Sequence, residues 1–202
     1  MKHLTLIFLL ITAVIGSCTR ERSSGHENHT MSSATRNYAD SVNSGIIPED
    51  TLKGSPVRTA MNMVGGCHIH IVYGSPGVKG RIIWGGLVPT DKVWVTGAHN
   101  ATSIDLSKDI YFGDKLLNKG KYAFFTIPGK EKWVVIINRN YDQHLTDKYS
   151  EKDDVLRLEV TPETLDKPVQ RLTYSVEAGD GAKGQIVVAW EKIRIKVPVE
   201  VR

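Results

Sequence analysis

The stretch 121–138, KYAFFTIPGKEKWVVIIN, decides the fold class. Two apolar runs, 121–127 and 133–138, are built from Tyr, Phe, Trp, Val and Ile, the residue types that fit a pleated sheet. Pro128-Gly129-Lys130 separates them. Such a tripeptide continues neither strand and supports a tight reversal. Each run is too short for a typical helix and is bounded by turn residues, so the pair reads as two antiparallel strands joined by a hairpin.

The same pattern extends in both directions. Candidate strands are 58–64, 67–73, 92–96, 102–106, 109–112, 121–127, 133–138, 155–160, 171–176, 185–190 and 193–199. Stretches 102–106 and 193–199 alternate polar and apolar residues, as half-buried antiparallel strands do. No long segment with a 3.6-residue period appears, which argues against an α/β plan. Many short strands with tight turns predict an all-β domain, an antiparallel β-sandwich or jelly-roll.

The N-terminus reads differently. Lys2 and His3 precede an apolar run, 4–15, shorter than the roughly 20 residues a spanning helix needs. The run ends at Ile15-Gly16-Ser17-Cys18, which resembles the lipobox of bacterial lipoproteins. That resemblance implies a signal peptide over 1–17 and a lipidated Cys18. It also implies a membrane anchor, most simply that of an outer-membrane lipoprotein with its domain in the periplasm or at the cell surface. Residues 18–54 are rich in Ser, Thr, Asn and charged residues and read as the lipidated cysteine with a flexible tether. Residues 55–202 are the domain. Within the tether, Asp40-Ser41-Val42 and Asp50-Thr51-Leu52 resemble short bacterial O-glycan acceptor sites, which makes Ser41 and Thr51 candidate acceptors.

The chain has two cysteines. With Cys18 lipidated, Cys67 has no disulfide partner, and the core alone must hold the domain together. The formal charge of +4 falls to +3 (4 − 1) once Lys2 leaves with the signal. Basic and acidic residues are interleaved, with no aromatic residues set among clustered Lys or Arg. Nucleic acid is therefore not an expected partner.

Candidate chemistry centres on histidine. His68 and His70 alternate within 67–73, and side chains two apart on a strand share a face with Cα atoms about 6.5–7 Å apart. His99 follows the 92–96 segment. His144 lies in the longest irregular piece, 139–154, where loops of this size are usually functional or mobile. Two ligands from one strand and one from each of two loops would form a zinc or copper site. Asp147 would then be an oxygen ligand or a partner that fixes a histidine tautomer. The competing reading makes His68 and His70 half-exposed strand residues, and His99 and His144 ordinary hydrogen-bonded loop residues. Cys67 points to the face opposite His68 and reads as a buried core residue. Trp84, Trp94, Trp133 and Trp190 lie in or beside apolar strands and read as core rather than sugar platforms. No GxSxG or P-loop pattern is present.

Several blocks carry a family resemblance: YGSPGVKGRIIWGGLVPTDKVWVTGAHNAT, GKYAFFTIPGKEKWVVIIN, EKDDVLRLEV and WEKIRIKVPV. In order, from about Ser55 to the C-terminus, they resemble the DUF2911 family of bacterial envelope proteins. The resemblance implies an envelope β-domain and no particular reaction. Ser75 and Val95 stand where the commoner family pattern has arginine. His99 and Asn100 stand for Asn and Glu, and His68 and His70 occupy positions commonly aliphatic. Together these readings predict a lipid-anchored envelope β-sandwich that binds zinc or copper through His68, His70, His99 and His144, with binding or storage favoured over catalysis. The alternative is a metal-free module that binds a glycan or an envelope protein through loops at one sandwich end.

Overall fold

The structure, a computed structural model, describes residues 33–202. The expected signal peptide and Cys18 lie outside these residues. Among the described residues no helix is long and apolar enough to cross a membrane.

One helix, α1 (Ser33–Asn43), precedes ten strands: β1 (Val57–Val64), β2 (Cys67–Gly74), β3 (Ser103–Leu106), β4 (Ile110–Phe112), β5 (Lys115–Leu117), β6 (Gly120–Ile127), β7 (Trp133–Asn138), β8 (Asp154–Val160), β9 (Glu163–Ala178) and β10 (Lys183–Glu200). They form two antiparallel sheets, six strands ordered β1-β2-β3-β6-β7-β8 and four ordered β5-β4-β10-β9. The chain is an all-β sandwich. The 121–138 hairpin is β6 and β7, paired from Ala123↔Asn138 to Ile127↔Val134.

The core fills the space between the sheets. From β2 it takes Cys67, Ile69, Ile71 and Tyr73; from β9 and β10 it takes Leu172, Tyr174, Ile186, Trp190, Ile195 and Val197. Tyr174 bridges the layers, with its ring centroid 4.6 Å from Tyr73 and 5.7 Å from Phe124. Each fully buried isoleucine contributes about 1.5–3 kcal/mol over an exposed one.

Several strand expectations change: β5 lies outside the candidate strands, and β9 begins at Glu163, well before the expected 171. Segment 92–96 makes only the Trp94↔Thr126 bridge. It takes the edge of β6 beyond the end of β3, with Trp94 N–H donating to Thr126 O at 2.7 Å. Thr96 at φ 50 then turns the chain away. Segments 185–190 and 193–199 are one strand, β10. Its partner β9 absorbs the irregularity: a step of two residues along β10, from Ala189 to Glu191, is matched by a step of four along β9, from Thr173 to Val169. Pro168 lies beside that bulge, where its missing N–H costs the ladder least.

The tether expectation also changes from Tyr38 onward. Ala39 and Val42 are buried, and Asn43 Nδ2 donates to Arg171 O at 3.1 Å and to Thr173 Oγ1 at 2.8 Å. The Arg171 guanidinium, fully buried, donates to Asp50 Oδ1 at 2.8 Å, Leu52 O at 2.6 Å and Ser75 O at 2.9 Å. Arg58 pairs with Asp40. These residues carry few apolar groups, so composition alone shows no reason for them to dock. What docks them, beside the buried Ala39 and Val42, is a set of directed polar bonds to Arg171, Thr173 and Arg58.

Candidate functional site

The four histidines singled out in the sequence fall at two separate places in the fold. The first pair stands on β2. Its odd-numbered residues point into the core, so His68 and His70 project from the outer face, with ring centroids 6.1 Å apart and planes inclined by 31°. A two-residue turn, Gly65 at φ 55 and Gly66 at φ 75, sets the register of β1 against β2. Positive φ at both central positions matches the twist of a tight hairpin. That register makes Met63 the partner of His68 and Met61 the partner of His70. On the other side, Asp105 of β3 is opposite His70, and Lys121 of β6 is opposite Asp105.

This setting holds the His70 imidazole below its ordinary pKa of 6.5. Partial burial is the largest cause, His68 and Lys121 act in the same direction, and Asp105 opposes them. A neutral ring keeps a nitrogen lone pair free for a metal ion. Below the pair, Ser107 Oγ accepts a hydrogen bond from His68 N–H at 2.7 Å.

The second pair sits at the other end of β2. Gly74 lies against Ala98, so closely that a Cβ on it would come within 2.3 Å of the Ala98 oxygen. His99 follows at φ 65. Its carbonyl accepts from Leu145 N–H at 2.6 Å, and Asn100 bridges to His144. His144 Nδ1 lies 3.0 Å from Asp147 Oδ2, both side chains being exposed. Asp147, expected as an oxygen ligand or as a partner that fixes a histidine tautomer, thus stands within hydrogen-bond reach of the His144 ring. Loop 139–153 is tied down: Asn138 Nδ2 donates to Ser150 O at 3.0 Å, and within the loop Gln143 Nε2 donates to Asn140 O at 2.6 Å and Lys148 N–H to Gln143 Oε1 at 2.9 Å.

Four residues of strand separate His70 from Gly74, about 13 Å at the usual rise. The backbone thus brings His99 next to His144 and keeps both away from His68 and His70. Among the described residues, no group of three or more His, Cys, Asp or Glu side chains is arranged to hold a metal ion.

The remaining candidates settle into architecture. Cys67 is fully buried. The four tryptophans meet in one cluster, with Trp84 5.0 Å from Trp133 and 5.9 Å from Trp190, and Trp94 stacked 5.8 Å from Trp190. Beside the cluster a cleft of about 320 Å³ opens, lined by residues including Arg81, Leu87, Val95, Ala98, Leu145 and Trp190. Arg81 uses its guanidinium on the carbonyls of Gly77 and Val78, which ties it to its own turn. The sequence reading passed over Met61 and Met63. Their signal was the MxM spacing in MNM, two residues before the Gly-Gly turn that folds it onto HIH.

Residues 55–199 match the family described as "Protein of unknown function (DUF2911)". No curated protein and no solved structure matches the chain.

Proposed function

Because the chain belongs to the DUF2911 family, whose description assigns no activity, we propose its role from its own surface: a lipid-anchored envelope β-sandwich that binds a transition metal, zinc or copper, at His68 and His70. One observation carries the reading. Two imidazoles stand 6.1 Å apart on a regular outer sheet face, and one of them is held toward its neutral form. A rigid strand fixes their separation, so binding needs little reorganisation. The exposed His99 and the His144–Asp147 pair lie at the other end of β2, outside this site. Binding is favoured over catalysis because, among the described residues, no acid, base or nucleophile stands beside the two rings in an enclosed pocket. Asp105 is the nearest carboxylate by register, and it lies on the open face.

The anchor is part of the same proposal. The lipobox-like Ile15-Gly16-Ser17-Cys18 supports lipidation at Cys18, which would hold the two histidines at the envelope.

A second reading rests on a different observation. The cleft beside the tryptophan cluster has exposed apolar residues at its margin, Leu87 at 48% and Leu145 at 39%, with Ile82 at 78% nearby. That surface suits an apolar side chain of a protein partner better than a sugar.

The test is a metal titration of the full chain in detergent, followed by the ring signals of its histidines in NMR. The first reading expects the His68 and His70 signals to shift or broaden at substoichiometric zinc or copper, ahead of those of His99 and His144. If His68 and His70 stay silent in excess metal, the metal reading falls and the cleft reading takes its place.

A further inference from the structure

The outer face of the β1–β2 hairpin carries more than two imidazoles. Met61 and Met63 are exposed at 54% and 50%, and the register sets Met61 opposite His70 and Met63 opposite His68. Residues directly opposite on paired strands have Cβ atoms about 4.5–5.5 Å apart. Residues two apart on one strand are separated by about 6.5–7 Å. Two thioethers and two imidazoles therefore rise from the corners of one small rectangle on a single face.

Core packing among the described residues does not account for the methionines. β1 is an edge strand of its sheet, and edge strands ordinarily carry charge or proline rather than large apolar side chains. Neither methionine packs in the core. Asn62, between them, turns the other way and donates to Val176 O at 3.0 Å. That bond anchors the alternation which keeps Met61 and Met63 outward.

We propose that Met61, Met63, His68 and His70 together form a copper site selective for Cu(I), with an S2N2 ligand set. This deepens the metal reading and rests on the His68–His70 pair. The donor chemistry chooses the ion. Thioether sulphur is soft and neutral and favours Cu(I), whereas zinc sites take thiolate, imidazole or carboxylate. Four neutral donors also suit a monocation better than a dication. Asp105, across from His70 on β3, supplies a nearby negative charge and a candidate acceptor for the second ring nitrogen of His70. The site is open to solvent and shallow, which suits uptake and release of an ion more than permanent structural retention.

The experiment compares two oxidation states in the full chain held in detergent. Under anaerobic reducing conditions, Cu(I) is partitioned between the protein and a chromophoric Cu(I) chelator, and X-ray absorption identifies the donor atoms. Zinc binding is followed separately by the His68 and His70 ring signals. The wild-type chain holds one Cu(I) with both sulphur and nitrogen donors. The double variant Met61→Leu/Met63→Leu, which keeps size and exposure, weakens Cu(I) by at least about tenfold, equivalent to about 1.4 kcal/mol, and leaves the zinc response of the two histidines unchanged. An undiminished Cu(I) affinity in that variant, or a nitrogen-only copper environment in the wild type, overturns the methionine assignment while the histidine reading stands. Wild-type histidines that respond to neither ion overturn both. Circular dichroism of the Leu variant shows that its fold is kept, and restoring Met61 alone recovers part of the Cu(I) affinity.

Discussion

β2 presents two faces built from alternate residues of one eight-residue strand, and they differ in kind. The inner face, Cys67, Ile69, Ile71 and Tyr73, is sealed into the sandwich. The outer face, His68 and His70, projects from the sheet and meets Met63 and Met61 across the hairpin. Inner residues are constrained by packing, so a change there alters folding. Outer residues are constrained by little except register, so a change there alters what the surface binds. An exposed strand position occupied by a ligand-forming side chain is informative because packing does not require it.

The sharpest way to break this contrast is to attack the support behind it. Arg171→Ala removes a fully buried guanidinium and strands Asp50, whose Oδ2 already lacks a partner. Breaking a buried ion pair from one side costs about 3–5 kcal/mol. Chemical denaturation of the full chain should show that loss, and residues 50–54 should become cleavable by protease under native conditions. A variant with unchanged stability would mean that this polar clamp is incidental.

Next in size is the strand itself. Ile71→Ala should cost about 2–5 kcal/mol through lost burial and a residual cavity. His68→Ala/His70→Ala, on the opposite face, should cost less than about 1 kcal/mol. Metal binding should behave in the opposite way, retained in the folded Ile71 variant and lost in the histidine variant. If the histidine variant unfolds, the two faces are not independent and His68 and His70 are structural.

The smallest effect is a pH dependence. His70 has a lowered pKa in the folded chain, so between that value and the ordinary 6.5 the unfolded chain binds more protons. Stability should therefore fall as pH drops through about 6.5 and level off below the folded-state value. His70→Gln should flatten that part of a melting-temperature profile. An unchanged slope in the variant would assign the dependence to another group.

The two histidine pairs show how far a linear reading reaches. On β2 the period of two residues placed His68 and His70 on one face, and alternation put Cys67 on the other; both placements hold in the fold. For His99 and His144 no period applies. Their positions depend on a backbone bridge between Asn100 and His144 and on left-handed turns at His99 and Leu145. These contacts join loops far apart in the chain, so the expected four-histidine convergence rested on proximity that spacing cannot supply. Met61 and Met63 escaped notice because each looks like an ordinary apolar strand residue until its exposure is known. The docked segment 38–54 escaped for the converse reason: it is polar in composition, but its polar groups have fixed partners.

The sequence by itself determined most of the strands, the all-β class and the shared face of His68 and His70, because those follow from local periodicity and backbone preference. Only the tertiary structure decided the order of strands in the two sheets, the burial of Arg171, and the division of the histidines into two pairs. Those outcomes depend on which distant segments meet, and contact across the chain is set by packing rather than by spacing along it.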